Sequence, residues 1–69
     1  MDDKNGFRIT NRDHVLGAWQ NSTDLVRDFQ AFSHEIKDED EELSRLFAEF
    51  AEDEAVHAAK LHDLLKNYE

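Results

Sequence analysis

Large apolar side chains between residues 43 and 68 recur at alternating steps of four and three, with two positions of the repeat filled instead by Glu54 and His57. The complete series 43, 47, 50, 54, 57, 61, 64, 68 is typical of the packed face of a helix. An acid and an imidazole therefore stand where leucine is expected. Burying such groups without partners costs roughly 2–7 kcal/mol. Glu-x-x-His on an inward helix face is one known way of holding a metal ion, so this pair is the candidate site.

The composition restricts what the chain can build around this helix. Its 69 residues make one small domain, and chains of this size rarely bury enough apolar surface without a staple or a partner. The sequence has no cysteine, which excludes disulfides and thiolate metal sites. It has no proline and only two glycines, which favours long uninterrupted helices. An all-α fold is the expectation.

The pattern divides the chain into a tail and two helices. Residues 1–11 are polar apart from Phe7 and Ile9 and are predicted to form a flexible N-terminal tail. Residues 12–69 are predicted to form a two-helix hairpin, with helices at 12–37 and 41–67. Thr10 and Asp13 loosely match a capping box at the start of the first helix.

The middle of the first helix leaves two alternatives open. The residues from Asn21 to Asp24 compete for backbone hydrogen bonds, so a kink or a restart capped by Ser22 or Thr23 is one alternative. The other is a continuous helix in which Ser22 is a small residue on the packed face. The remainder of that face is apolar and has eight further positions: Val15, Ala18, Trp19, Leu25, Val26, Phe29, Phe32 and Ile36. Trp19 and the phenylalanines, Phe47 and Phe50 included, are predicted to be core residues.

The stretch from Lys37 to Glu42 has no apolar residue and is predicted to be a short connection, with Asp38 or Asp40 capping the second helix. A short connection makes the helices antiparallel neighbours. Each helix then has an apolar stripe but only one partner surface, and a second copy of the chain supplies the rest most simply. We expect a homodimer, or a ring of dimers, in which two antiparallel hairpins form a four-helix bundle with two-fold symmetry.

The formal net charge of −9 argues against nucleic-acid binding, which needs a basic surface. Acidity favours solubility and also attracts cations. No apolar run approaches the roughly 20 residues of a membrane span, so no membrane partner is expected. The first residues lack the apolar core of a signal peptide, and a cytoplasmic location is expected.

The segment 46–61, LFAEFAEDEAVHAAKL, resembles the metal-binding helix of the ferritin-like superfamily, especially the rubrerythrins, in which a run of acids precedes Glu-x-x-His-Ala. The half-length, two-helix form is similar to the encapsulated ferritins, whose hairpins pair and hold a di-iron site between subunits. The resemblance implies iron, with manganese as the other candidate ion, and either ferrous-iron oxidation or peroxide reduction.

The resemblance further implies that each subunit contributes Glu54, His57 and one acid from the first helix. Asp24 is the candidate because it falls opposite Glu54 if the turn is near Asp40. On a regular helix, however, Asp24 points away from the apolar stripe, Asp28 lies further down the helix, and Glu35 is close to the turn and off the face. Either the helix is irregular at Asp24, or the site consists of Glu54, His57 and their symmetry mates.

The alternative function is a metal-free acidic helical module that dimerises or docks to a larger partner. In that case Glu54 and His57 hydrogen-bond each other and a polar partner, for which Ser22 and Thr23 are the candidates. The remaining histidines are expected at the surface: His14, His34 and His62. Nucleophile–base pairs and glycine-rich phosphate loops are not apparent in the sequence, so metal redox chemistry is the one enzymatic class that these residues support.

Overall fold

The computed structural model describes residues 9–68, which form two α-helices joined by a tight turn. Helix α1 spans Asn11–Glu35 and helix α2 spans Glu41–Lys66. The predicted all-α hairpin is confirmed. Compared with the predicted bounds, α1 begins one residue earlier and ends two residues earlier, and α2 ends one residue earlier. Phe7 and most of the predicted tail lie outside the described residues.

Helix α1 begins at the predicted capping box. The Asp13 backbone N–H donates to Thr10 Oγ1 at 3.1 Å, and the Thr10 backbone N–H donates to Asp13 Oδ2 at 3.0 Å. These reciprocal bonds satisfy two backbone donors that a helix start leaves unpaired. The Thr10 backbone N–H, followed by its hydroxyl, also lowers the pKa of the Asp13 carboxyl from its ordinary value.

Helix α1 is continuous through its polar middle, so the alternative of a restart at Ser22 or Thr23 is wrong. The Thr23 hydroxyl donates to two carbonyls of the preceding turn, 3.1 Å from that of Trp19 and 2.8 Å from that of Gln20. This back-bonding is how a threonine is accommodated inside a helix. Ser22 is buried against α2, as the alternative of a continuous helix predicted.

The turn is set by its own hydrogen bonds. The Ile36 N–H donates to the Phe32 carbonyl at 3.2 Å, and the Asp40 N–H donates to the Ile36 carbonyl at 2.8 Å. The Asp40 side chain then caps α2 by accepting from the Leu43 N–H at 3.0 Å, which confirms one of the two predicted caps. The connection is so short that α2 returns antiparallel beside α1.

The most buried contact between the helices is made mainly by small side chains, and the half-buried Phe47 and Leu61 of the four-three repeat border it. On α2 the residues that face α1 recur every seven positions, and we call this row the seam: Ser44, Ala51, Ala58 and Leu65. Small residues allow the two backbones to approach closely. Near the turn, Ser33 and Ser44 bond reciprocally, each hydroxyl lying 2.7 Å from the other residue's carbonyl oxygen.

Only the row 43, 50, 57, 64 of the repeat lies to one side of this contact, which corrects the prediction that the whole repeat forms it; Phe47 and Leu61 border the seam and are half-buried. We call the exposed surface on that side the apolar face; its members are each at least two-fifths exposed: Phe32, Leu43, Leu46, Phe50, Leu64 and Tyr68. Because a helix turns by about 100° per residue, the row 43, 50, 57, 64 lies roughly one residue's rotation away from the row 44, 51, 58, 65. Alanine and serine carry little weight in a hydrophobic pattern, and the sequence therefore did not reveal the seam.

Four of the five predicted core aromatics form a cluster at the edge of the hairpin instead of a closed core, and the fifth, Trp19, is half-buried and contacts the ring of His62. Phe29 and Phe47 are half-buried, whereas Phe32 and Phe50 are exposed, with ring centroids of contacting pairs 5.6–6.2 Å apart. The radius of gyration is 16.3 Å, whereas a compact domain of this length has about 11 Å. The single chain is therefore an elongated hairpin whose apolar face has no covering element within residues 9–68. Neither α1 nor α2 is both long and apolar enough to cross a membrane.

Candidate functional site

The centre of the candidate site is a polar link between the two helices. The Ser22 hydroxyl on α1 donates to Glu54 Oε1 on α2 at 2.8 Å. Ser22 is buried, and the Glu54 side chain is only 19% exposed. This hydrogen bond satisfies an acid that would otherwise be desolvated without a partner. The sequence analysis had named Ser22 as one of two possible partners of Glu54, and the structure selects it.

The second carboxylate oxygen faces the imidazole. Glu54 Oε2 lies 3.4 Å from His57 Nδ1, one turn further along α2. The separation is longer than a good hydrogen bond, but it is within the range of an ion pair when the imidazole is protonated. The His57 side chain is 61% exposed, three times more than that of Glu54. The pair therefore runs outward from the helix–helix contact to the surface of the hairpin.

The surface that His57 reaches is the apolar face. His57 occupies the third position of the row Leu43, Phe50, His57, Leu64, whose members are spaced by nearly two helical turns. The apolar residues of this row are all exposed. The other side of the hairpin differs, because an open groove there is lined by polar and small side chains such as Gln30, Lys37 and Arg45. Among the surfaces that residues 9–68 form, the apolar face is the one that combines a large apolar surface with an acid–imidazole pair.

Asp24, the predicted ligand from the first helix, is not brought to this pair. Its carboxylate pairs with Arg27 on α1, and its side chain is 62% exposed. The reason is geometric: two residues along a helix correspond to a rotation of about 200°, so if Ser22 faces Glu54, Asp24 faces solvent. The expected irregularity that would turn it inward is absent from α1, which is a regular helix from residue 11 to residue 35.

The predicted surface histidines are exposed as expected. His14 contacts the Thr10 carbonyl through Nδ1 at 3.0 Å, and the ring of His62 lies 5.3 Å from that of Trp19 on the far side from the apolar face. His34 is likewise exposed. Within residues 9–68 of one chain, no three His, Asp or Glu side chains are grouped closely enough to hold a metal ion. One hairpin thus offers a pair of potential ligands, Glu54 and His57, and not a complete site.

The two side chains of this pair are of types that can ligate a metal ion. A carboxylate and an imidazole suit ferrous iron and manganese, and paired hairpins would offer two of each. The fold and the pair together define a class: an all-α helical hairpin that carries a Glu-x-x-His element of the ferritin-like type on one face.

The family comparison specifies this class further. The rubrerythrin family model matches residues 23–69, which is about two thirds of the chain and includes all of α2. The chain belongs to the rubrerythrin family. Comparisons with curated proteins and with solved structures found no match.

Proposed function

We propose that this protein is a ferritin-like metal-binding protein whose site forms between two copies of the chain, with Glu54 and His57 of each copy as ligands. Iron is the ion that membership of the rubrerythrin family favours, and manganese is compatible with the same donors. The observation that carries the proposal is the position of the pair: an acid and an imidazole in contact, in the middle of an exposed apolar face.

The apolar face supports the pairing of two hairpins. Monomeric proteins rarely leave contiguous large apolar side chains in water. If two copies cover each other's faces around a two-fold axis, His57 and Glu54 of both copies move from the surface to the interior of a four-helix bundle. Buried imidazoles and carboxylates require partners, and a cation supplies one to both. Homodimers, or rings built from them, are thus part of the proposal.

The residues of each chain would have different roles at such a site. Ser22 would hold Glu54 Oε1 by its hydroxyl and thereby orient the carboxylate, while Oε2 remains directed to the side of His57. The apolar residues around the pair would exclude water from it. Bound iron would supply one-electron redox chemistry, and the activity we propose is oxidation of ferrous iron, with dioxygen or a peroxide as the electron acceptor. We further propose that the protein acts in the cytoplasm, without nucleic-acid or membrane partners.

The proposal is tested by metal content. Purified protein is loaded anaerobically with ferrous iron, desalted and analysed for iron per chain, alongside Glu54→Ala and the control Glu49→Ala, which changes an exposed acid on the same helix. We expect iron to be retained by the wild type and by Glu49→Ala and to be lost from Glu54→Ala. Ferrous iron should also raise the melting temperature of the wild type, more strongly at higher concentration. Wild-type protein free of iron would refute the proposal.

A second function is favoured by one observation: the Ser22 hydrogen bond already satisfies part of Glu54 without any metal. In this reading the chain is a metal-free acidic helical module that dimerises or docks to a partner, and the polar link fixes how its helices align. Glu54→Ala and His57→Ala would then leave the oligomeric state unchanged or stabilise it. Measuring both variants by sedimentation, with and without iron, separates the two functions.

A further inference from the structure

The ligand set that the two chains can offer is smaller than a ferritin-like pair of metal ions requires. Di-metal carboxylate bundles use a Glu-x-x-His element from each of two helices and one additional Glu from each of the other two. In a bundle of two hairpins, α2 of each chain supplies Glu54 and His57. The additional carboxylate would have to come from α1, at the position whose side chain reaches Glu54.

That position is occupied by Ser22. Its hydroxyl is the α1 group that contacts the Glu54 carboxylate, at 2.8 Å. A serine hydroxyl is neutral and is a weak metal ligand compared with a carboxylate. Where the pattern of the class calls for a negatively charged side chain, this chain therefore has a hydrogen-bond donor.

The other acids of α1 do not replace it. Asp13 is engaged with Thr10 at the helix start, and Asp24 is paired with Arg27. Asp28 is exposed and lies six residues from Ser22, which is about 9 Å along the helix axis. Glu35 is exposed in the last turn, still further from Glu54.

We infer that Ser22 occupies the α1 ligand position and that two chains consequently hold one metal ion between them, not two. The inference rests on the proposed function, which it deepens. Two Glu54 carboxylates and two His57 imidazoles provide four ligands, enough for one divalent ion. Shared between two ions, the same set gives each ion two residues, and its two negative charges are exceeded by the four positive charges of the ions.

A carboxylate at position 22 should complete the larger set. In Ser22→Glu the new side chain lies beside Glu54, where two acids repel each other unless a cation stands between them. We expect the metal-free variant to melt below the wild type and to be stabilised by metal more than the wild type is. Ser22→Gln is the matched control, because it has the same size and no charge.

The test counts ions and asks whether they are coupled. Wild type, Ser22→Glu, Ser22→Gln and Asp28→Asn are titrated with ferrous iron under anaerobic conditions and with Mn²⁺, and each oligomeric state is measured by sedimentation. We expect one ion per two chains in the wild type, in Ser22→Gln and in Asp28→Asn, and one ion per chain in Ser22→Glu. Electron paramagnetic resonance of the manganese forms should show isolated ions in the wild type and an exchange-coupled pair in Ser22→Glu.

The outcomes separate this inference from the function on which it rests. One ion per chain in the wild type, with a coupled manganese spectrum, would support the proposed function and overturn the inference. No ion in the wild type overturns the proposed function, whatever the variant binds. If Ser22→Glu fails to fold, the wild-type stoichiometry and spectrum still decide whether one ion or two are held.

Discussion

Substitution of Phe50 tests whether the apolar face joins two chains. Phe50 is 43% exposed in the hairpin, and a phenylalanine side chain buries about 150–250 Å² when it is fully covered. Association would therefore cover about 65–110 Å² more of it, worth roughly 1.6–2.7 kcal/mol at about 25 cal/mol per Å². A symmetric dimer contains this residue twice. Phe50→Ala should consequently weaken association by about 3–5 kcal/mol, or about 10²–10⁴-fold in Kd.

The control is Val56→Ala on the same helix. Val56 is 53% exposed, so it is as accessible as Phe50, but it belongs to the row Glu42, Glu49, Val56, Asp63, which lies about 100° around α2 from the row of Phe50, on the side opposite to the seam. The dimer constant is measured by sedimentation equilibrium on metal-free protein, with helix content followed by circular dichroism at the same concentrations. We expect Val56→Ala to associate like the wild type.

Phe50 also contacts Phe29 and Phe47 within the hairpin, so a second variant separates association from folding. Leu64 is on the same face and is 47% exposed. Leu64→Ala should weaken association by about 1.4–2.8 kcal/mol for the two copies, roughly 10–100-fold. A monomeric wild type, or equal dimer constants for Phe50→Ala and Val56→Ala, would refute the proposed interface.

Three further predictions concern the hairpin itself. Ala51→Leu should overfill the seam and destabilise the protein by about 1–3 kcal/mol. The control Ala59→Leu, on the exposed side of α2, should have little effect. Thermal melts of both variants at one fixed protein concentration measure the difference. Asp40→Ala removes the α2 cap and should cost about 1 kcal/mol, or about 4–8 °C in melting temperature, and an equal loss in Asp38→Ala would show that capping is not the cause. Because the pKa of the Asp13 carboxyl is lowered in the folded chain, its stabilising effect is present above the pKa of unfolded aspartate, about 3.9, and is lost as the pH falls through the lower folded pKa. Protection of the first-turn amides of α1 against exchange, relative to their intrinsic rates at each pH, should fall in that range in the wild type but not in Asp13→Asn.

The sequence was sufficient to predict the elements and, to within two residues, their ends. The apolar periodicity, the lack of proline and the acids before α2 led to two helices and a hairpin. Local rules named the Thr10 capping box and offered Asp38 or Asp40 as the cap of α2, of which the structure has Asp40. These features depend on residues a few positions apart in the chain, and they can therefore be predicted from the sequence alone. The family resemblance of α2 rested on a contiguous segment and was likewise visible.

The contact between the helices was harder to predict, because it depends on small residues and on rotation. A pattern of large side chains locates an apolar stripe, but it does not say which edge of that stripe touches the neighbouring helix. Here Ala51 and Ala58 face α1, and Phe50 and Leu64 lie to one side. The candidate site was hard to predict for the same reason. The predicted pairing of the helices was off by two residues, and the residue opposite Glu54 is Ser22 and not Asp24.

The two polar links between the helices, Ser22 with Glu54 and Ser33 with Ser44, also limit how the two helices can misalign during folding. A heptad-like pair of helices can slide by seven residues and still present a similar pattern of side chains. Such a slide would place Ser22 beside Phe47 or Leu61, and Glu54 beside Val15 or Phe29, so that the acid would be desolvated against an apolar side chain. The serine–glutamate bond thus favours the native alignment of the helices. A misaligned hairpin is less stable because Glu54, a ligand of the proposed metal site, is then buried without a polar partner.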